Sequence, residues 1–123
     1  MKKFAIASFA LSFAVGAHAA GDAIAGEKVF AQCAACHTVG ASALNSVGPV
    51  LNGVVGRAAG TYPGYRYSSA MRKSGLTWDE GTLSQYLEGP EKMVPGTKML
   101  FPGIQNKDDR ANVIAYLKQQ TAK

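Results

Sequence analysis

Apolar residues recur at helical spacing in several separate stretches of the chain, and one uninterrupted apolar run lies at its start. The run extends from Phe4 to Val15, carries no charge, and follows Lys2 and Lys3. The small-x-small site Ala17-His18-Ala19 comes soon after. A positive start, an apolar stretch and a small-residue site predict a secretory signal peptide over residues 1–19. The run is shorter than the roughly 18–20 residues that cross a bilayer. An uncleaved anchor or an amphipathic helix is the rival reading. No other stretch is apolar enough to span a membrane.

The remaining pattern predicts helices and loops, with little that reads as strand. A first helix is expected from Asp22 to about Cys33, with Asp22 favourably placed at the positive end of the dipole. Val29 and Phe30 share a face with Gly26. A mid-helix glycine costs about 1 kcal/mol against alanine, which a close helix crossing would justify. Residues 38–67 are rich in Gly, Ser, Asn and Pro and read as loop. Ser68 to Lys73 fits a short helix stopped at Gly75. Thr77 and Glu80 fit a capping box opening a helix whose inner face is Leu83, Tyr86 and Leu87. That helix should end at Gly89-Pro90, and a second loop should run to Asn106. A last helix opens with Asp108 and Asp109, closes near Lys118, and turns Val113, Tyr116 and Leu117 inward. No internal repeat or domain linker is present.

Composition narrows the function. A chain of 123 residues with 47% hydrophobic and 17% charged residues excludes a multidomain enzyme, a disordered chain, collagen and a coiled coil. Two Cys are too few for a disulfide scaffold, but two Cys and two His could just assemble a structural zinc site. Signal cleavage removes that option, because His18 leaves and His37 becomes the only histidine. Lys2 and Lys3 leave too, lowering the formal charge from +5 to +3. That is too little to suggest a nucleic-acid partner, and no binding motif is present. A domain this small buries only about 60–65% of its unfolded surface, so a bulky apolar cofactor would help to build its core.

The candidate chemistry is concentrated in Cys33-Ala34-Ala35-Cys36-His37. C-x-x-C-H is the attachment signal for c-type haem. Two thiols three residues apart reach the two vinyl groups on one side of a porphyrin, and the next residue brings an imidazole to the iron. A thioredoxin-like dithiol would need a βαβ context, which the pattern lacks. A structural disulfide suits an oxidising compartment but leaves His37 unexplained. With haem attached, the second axial ligand separates an electron carrier from a ligand-binding or catalytic haem. Within residues 20–123 no second His exists, leaving Met71, Met93 and Met99. A methionine is usually core filler. Met99 stands out in Val94-Pro95-Gly96-Thr97-Lys98-Met99, where Pro95 and Gly96 can present a thioether from a loop. Met93 is its main competitor.

These residues, with Gly26 and Phe30, Gly48-Pro49, Leu51, Gly56-Arg57, Tyr67, Leu76-Thr77-Trp78, Tyr86-Leu87, Phe101 and Ile114-Ala115-Tyr116-Leu117, fall in one family's order. The chain resembles a class I c-type cytochrome, of the bacterial monohaem group most similar to mitochondrial cytochrome c, over nearly all of residues 20–123. The resemblance implies an all-α, single-domain fold of helices and loops wrapped around one covalent haem c. It implies thioethers at Cys33 and Cys36 and axial ligation by His37 and Met99. It implies that the Pro49 carbonyl accepts a bond from the ligand imidazole. Arg57, Tyr67 and Trp78 would neighbour a haem propionate, although the residues alone suggest an exposed arginine and two core aromatics. Tyr86 and Thr97 would lie near the Met sulfur, and the first and last helices would cross through Gly26, Phe30, Val113 and Tyr116.

The chain departs from its relatives at several positions. Met71 stands where they often carry Asn, and Asn45 replaces a mitochondrial His. Gln32, Ser46 and Glu91 occupy sites often basic there, while Lys92 and Lys98 remain. The implied function is that of a periplasmic, monomeric one-electron carrier and not an enzyme, with no stable membrane insertion after cleavage. Electrons would leave by an exposed haem edge near the cysteines and Phe101. Its partners would be redox proteins with acidic docking surfaces. Examples are a cytochrome bc complex and a terminal oxidase or reaction centre, in a respiratory or photosynthetic chain, or a periplasmic dehydrogenase. The alternative is a haem-based peroxidase-like enzyme or ligand sensor with an open iron site.

Overall fold

The Asp22 carboxylate accepts from the backbone N–H groups of Ile24 and Ala25, at 2.8 and 3.3 Å, and so caps the first helix. That helix, α1, spans Ala23–Phe30 in a computed structural model that describes residues 21–121 and the isolated Ala5. The expected signal peptide lies outside the described residues, apart from Ala5. Four further helices follow: α2 (Ser69–Lys73), α3 (Glu80–Glu88), α4 (Pro90–Met93) and α5 (Lys107–Lys118). The described residues form no strand, only an isolated antiparallel bridge between Ala58 and Thr77. The all-α expectation therefore holds. No helix among the described residues is long and apolar enough to cross a membrane.

The frame is α1 packed on α5, with α3 against α5 and α4 beside α3. Gly26 is where α1 meets α5. A Cβ there would overlap the Asn112 carbonyl and come within 2.9 Å of the Tyr116 Cβ, so only glycine allows this approach. Phe30 closes the same contact on Tyr116, with ring centroids 5.4 Å apart. Leu83, Tyr86 and Leu87 of α3 and Val113, Ile114 and Leu117 of α5 are buried in one apolar cluster with Phe30. Tyr116, expected to point inward, is only partly buried, and Ile114 takes that share of the core.

Three element boundaries differ from expectation. α1 stops at Phe30 rather than near Cys33, because the chain tightens into turns there, with Cys33 N–H donating to the Phe30 carbonyl at 2.7 Å. α3 is capped by Asp79 and not by Thr77. Thr77 is engaged in the bridge to Ala58, and Trp78 N–H donates to the Arg57 carbonyl at 2.9 Å, which keeps this segment extended. Asp79 is the first residue free to turn, and its carboxylate accepts from Thr82 N–H at 2.7 Å. This bond holds the Asp79 carboxyl below its ordinary value. Finally, Gly89-Pro90 ends α3 but also starts α4, with Pro90 in the first turn where its missing N–H costs nothing.

Candidate functional site

The turns after α1 carry the two thiols. Ala34 N–H donates to the Phe30 carbonyl at 3.1 Å and His37 N–H to the Cys33 carbonyl at 2.9 Å. This near-helical winding turns residues three apart toward one side, and Cys33 and Cys36 both line a cavity of about 290 Å3. Both cysteines are half-buried. Burial raises the Cys33 thiol above its ordinary value, and the neighbouring Cys36 raises it further.

His37 is 8% exposed and is held mostly by backbone. The segment 48–51 runs beside it: Gly48 N–H donates to the Cys36 carbonyl at 2.8 Å and Leu51 N–H to the Thr38 carbonyl at 3.2 Å. The imidazole Nδ1 bonds the Pro49 carbonyl at 2.7 Å. A carbonyl only accepts, so Nδ1 carries the proton and Nε2 keeps its lone pair. Burial lowers the affinity of His37 for a second proton, partly opposed by the Pro49 bond, which favours the neutral ring that a metal requires. A Cβ at Gly48 would overlap the ring and lie 2.7 Å from Nδ1, so glycine is what admits the imidazole.

Met99 approaches the cavity from a loop. Gly96 makes the turn with φ of 92°, a conformation natural to glycine. Thr97 is buried, its hydroxyl lies 2.6 Å from the Tyr86 hydroxyl, and it accepts from Met99 N–H at 3.3 Å. Tyr86 therefore fixes the loop through Thr97. Met71, buried on α2, lines the same cavity. Met93 is not among the lining residues and borders a separate surface hollow beside α4.

Arg57, Tyr67 and Trp78 also line the cavity. Arg57 is partly buried, donates from Nη1 to the Asn52 carbonyl at 2.7 Å, and lies 5.0 Å from the centre of the Tyr62 ring. Burial lowers its affinity for the proton, but a guanidinium stays charged. The Tyr67 hydroxyl accepts from Tyr62 N–H at 3.0 Å, which leaves its own O–H to donate. Burial raises its ionisation above the ordinary value, keeping that donor intact. Trp78 is buried, with its ring centroid 4.9 Å from that of Tyr86 and the two planes tilted by 51°.

Of the residues singled out from the sequence as site candidates, Cys33, Cys36, His37, Pro49, Arg57, Tyr67, Trp78, Tyr86, Thr97 and Met99 all line this one cavity, and only the competing Met93 does not. Much of the remaining wall is apolar, with Phe30, Val54, Leu83, Leu87, Val113 and Leu117. Paired thiols, a neutral imidazole with a free nitrogen, thioethers and an apolar wall fit a covalently held porphyrin. Asn52 was not foreseen. It is buried, and its side chain bonds both the N–H and the carbonyl of Gly40, at 2.9 and 2.8 Å. Its own carbonyl holds Arg57. An asparagine in a Gly-rich stretch reads as a turn former, so the sequence carries no signal of this role. Val47 and Leu100, respectively 70% and 97% exposed, border the cavity at its mouth.

Comparison with known proteins follows this geometry. The family model described as cytochrome c matches residues 23–121. A cytochrome c2 of Rhodomicrobium vannielii is 56% identical over 118 residues, covering 96% of this chain and 94% of that protein. A cytochrome c2 of Blastochloris viridis is 45% identical over 122 residues, covering 99% and 96%. Among solved structures, cytochrome cH from Methylobacterium extorquens superposes with a TM-score of 0.77 at 55% identity, covering 80% of this chain and 99% of that one.

Proposed function

The chain belongs to the cytochrome c family and carries a covalently bound haem c, and from that premise we propose that it is a soluble one-electron carrier with His37 and Met99 as axial ligands. When bound, the haem supplies an iron centre that changes oxidation state by one electron. Cys33 and Cys36 tether it, and His37 offers Nε2 because Nδ1 is committed to the Pro49 carbonyl. Met99 offers a soft thioether, which favours the reduced metal and raises the potential. The apolar wall keeps water out and acts in the same direction. Arg57, with the Tyr67 hydroxyl and the Trp78 indole, would balance a propionate at the cavity's polar edge.

The observation that carries this reading is the convergence of both thiols, His37 and Met99 on one cavity, with Met93 outside it. Met99→Ala should abolish the thioether-to-iron charge-transfer band of the oxidised protein and lower its potential. Retention of both would overturn the ligand assignment and favour an open-iron enzyme or sensor.

Residues 1–19 are proposed to direct export to the periplasm. The proposed partners are membrane electron-transfer complexes, a cytochrome bc complex and a terminal oxidase or reaction centre, or a periplasmic dehydrogenase. Docking would use the rim near the cysteines, Leu100 and Phe101, with Lys92 and Lys98 steering acidic partners. Lys98 is partly committed, since its Nζ donates to the Arg66 carbonyl at 2.7 Å. A neutral carbonyl leaves the ammonium charge in place, so the steering should persist at low salt and weaken as salt is added.

A further inference from the structure

Asn45 is an exposed loop residue whose amide is used at both ends. Its Oδ1 accepts from Val50 N–H at 2.9 Å, and its Nδ2 donates to the Pro63 carbonyl at 3.0 Å. An N–H can only donate and a carbonyl can only accept, so the partners fix which way the amide faces. Val50 N–H and the Pro49 carbonyl are opposite sides of a single planar peptide group. That same carbonyl receives His37 Nδ1 at 2.7 Å. A continuous line of hydrogen bonds thus runs from Pro63 through Asn45 and the 49–50 peptide to His37.

Bonds in such a line polarise one another. When Oδ1 accepts from Val50 N–H, the resonance of the peptide shifts electron density toward the Pro49 oxygen. That oxygen then draws more strongly on the Nδ1 proton, and Nε2 becomes a better donor to a metal. Neighbouring contacts hold the loop without touching this peptide: Tyr65 donates to the Val47 carbonyl at 2.7 Å, and Ser46 N–H to the Gly48 carbonyl at 3.0 Å.

We propose that Asn45 is a positioning residue that sets the donor strength of His37 through the 49–50 peptide group. This rests on His37 being the iron ligand. A stronger imidazole donor stabilises the oxidised metal, so loss of the Asn45 acceptor should raise the reduction potential.

The test compares the holoprotein with Asn45→Ala and Asn45→Asp at high salt, where the added aspartate charge is screened. Ala removes both bonds, whereas Asp keeps the acceptor toward Val50 and loses the donor to Pro63. In Asn45→Ala, His37 Nδ1–H should exchange with solvent up to about twofold faster, the weakening of one hydrogen bond by roughly 10–30%, and the potential should rise. In Asn45→Asp both should stay at or below the wild-type values. If Asn45→Ala loses stability while exchange and potential are unchanged, Asn45 only stitches two loops and the proposal is overturned. Equal shifts in both variants overturn it as well. The underlying reading fails separately, when the His37 ring protons of the oxidised wild type show no paramagnetic shift.

Discussion

The two sides of the cavity that present candidate ligands are built from different materials. On the His37 side the chain holds itself by backbone: Gly48 to Cys36, Leu51 to Thr38 and the Pro49 carbonyl to the ring. On the Met99 side a loop turns at Gly96 and is fixed by side chains, with Thr97 between Tyr86 and the Met99 N–H. Gly96 N–H reaches the exposed Glu91 carboxylate at 3.2 Å, and Leu100 is 97% exposed. Backbone bonds are indifferent to most side-chain changes, whereas a side-chain clasp depends on two particular residues. Segments with exposed backbone and few buried contacts also open at lower free energy. The lesson is that, of the two proposed ligands, the imidazole is the more firmly held and the thioether the more readily displaced.

Three substitutions probe this contrast. The largest effect is expected from Gly48→Ala, whose new methyl would overlap the His37 ring. It should cost more than about 4 kcal/mol and prevent folded holoprotein from accumulating. Recovery of a stable protein with an unchanged His37 spectrum would show that the close approach does not matter. Thr97→Val is nearly isosteric but strips the Tyr86 hydroxyl of its partner and Met99 N–H of its acceptor. It should cost about 2 kcal/mol, and titration with denaturant should remove the thioether-to-iron band before the His37 signals change. Simultaneous loss of both ligands would erase the distinction between the two sides. The smallest effect belongs to Asn106→Ala, which removes the cap donated to by Asp108 and Asp109 N–H, at 2.8 and 3.0 Å. About 1 kcal/mol of global stability should go, measured by thermal unfolding, with neither ligand's spectrum shifted.

Features written in a few adjacent residues were legible in advance. Cys33, Cys36 and His37 declare their joint role by spacing, and Asp22 caps α1 where it was expected. Leu83, Tyr86 and Leu87 form an inner face because 3.6-residue periodicity is local. The α3 cap was misplaced for the opposite reason. Thr77 and Glu80 satisfy a local rule, but Ala58, distant in sequence, holds Thr77 extended and passes the cap to Asp79. The turn of α4 did carry a signal, Pro90 directly after Gly89, which was read only as a stop. Between Met93 and Met99, loop chemistry favoured Met99 and family resemblance reinforced it. The structure adds that Met71 shares the cavity with Met99, while Met93 borders another hollow.

The sequence by itself determined the tether, the candidate imidazole's place beside it and the apolar faces of the helices. Each is a matter of spacing along one short segment. Only the tertiary structure decided which atoms hold those groups in place. The partners of His37, Arg57 and Asn45 are mainly backbone carbonyls and N–H groups. Every residue carries such groups alike, so residue identity cannot say which will be used. Chain folding selects among them by bringing residues 36–38, 45–52 and 63 within hydrogen-bond reach.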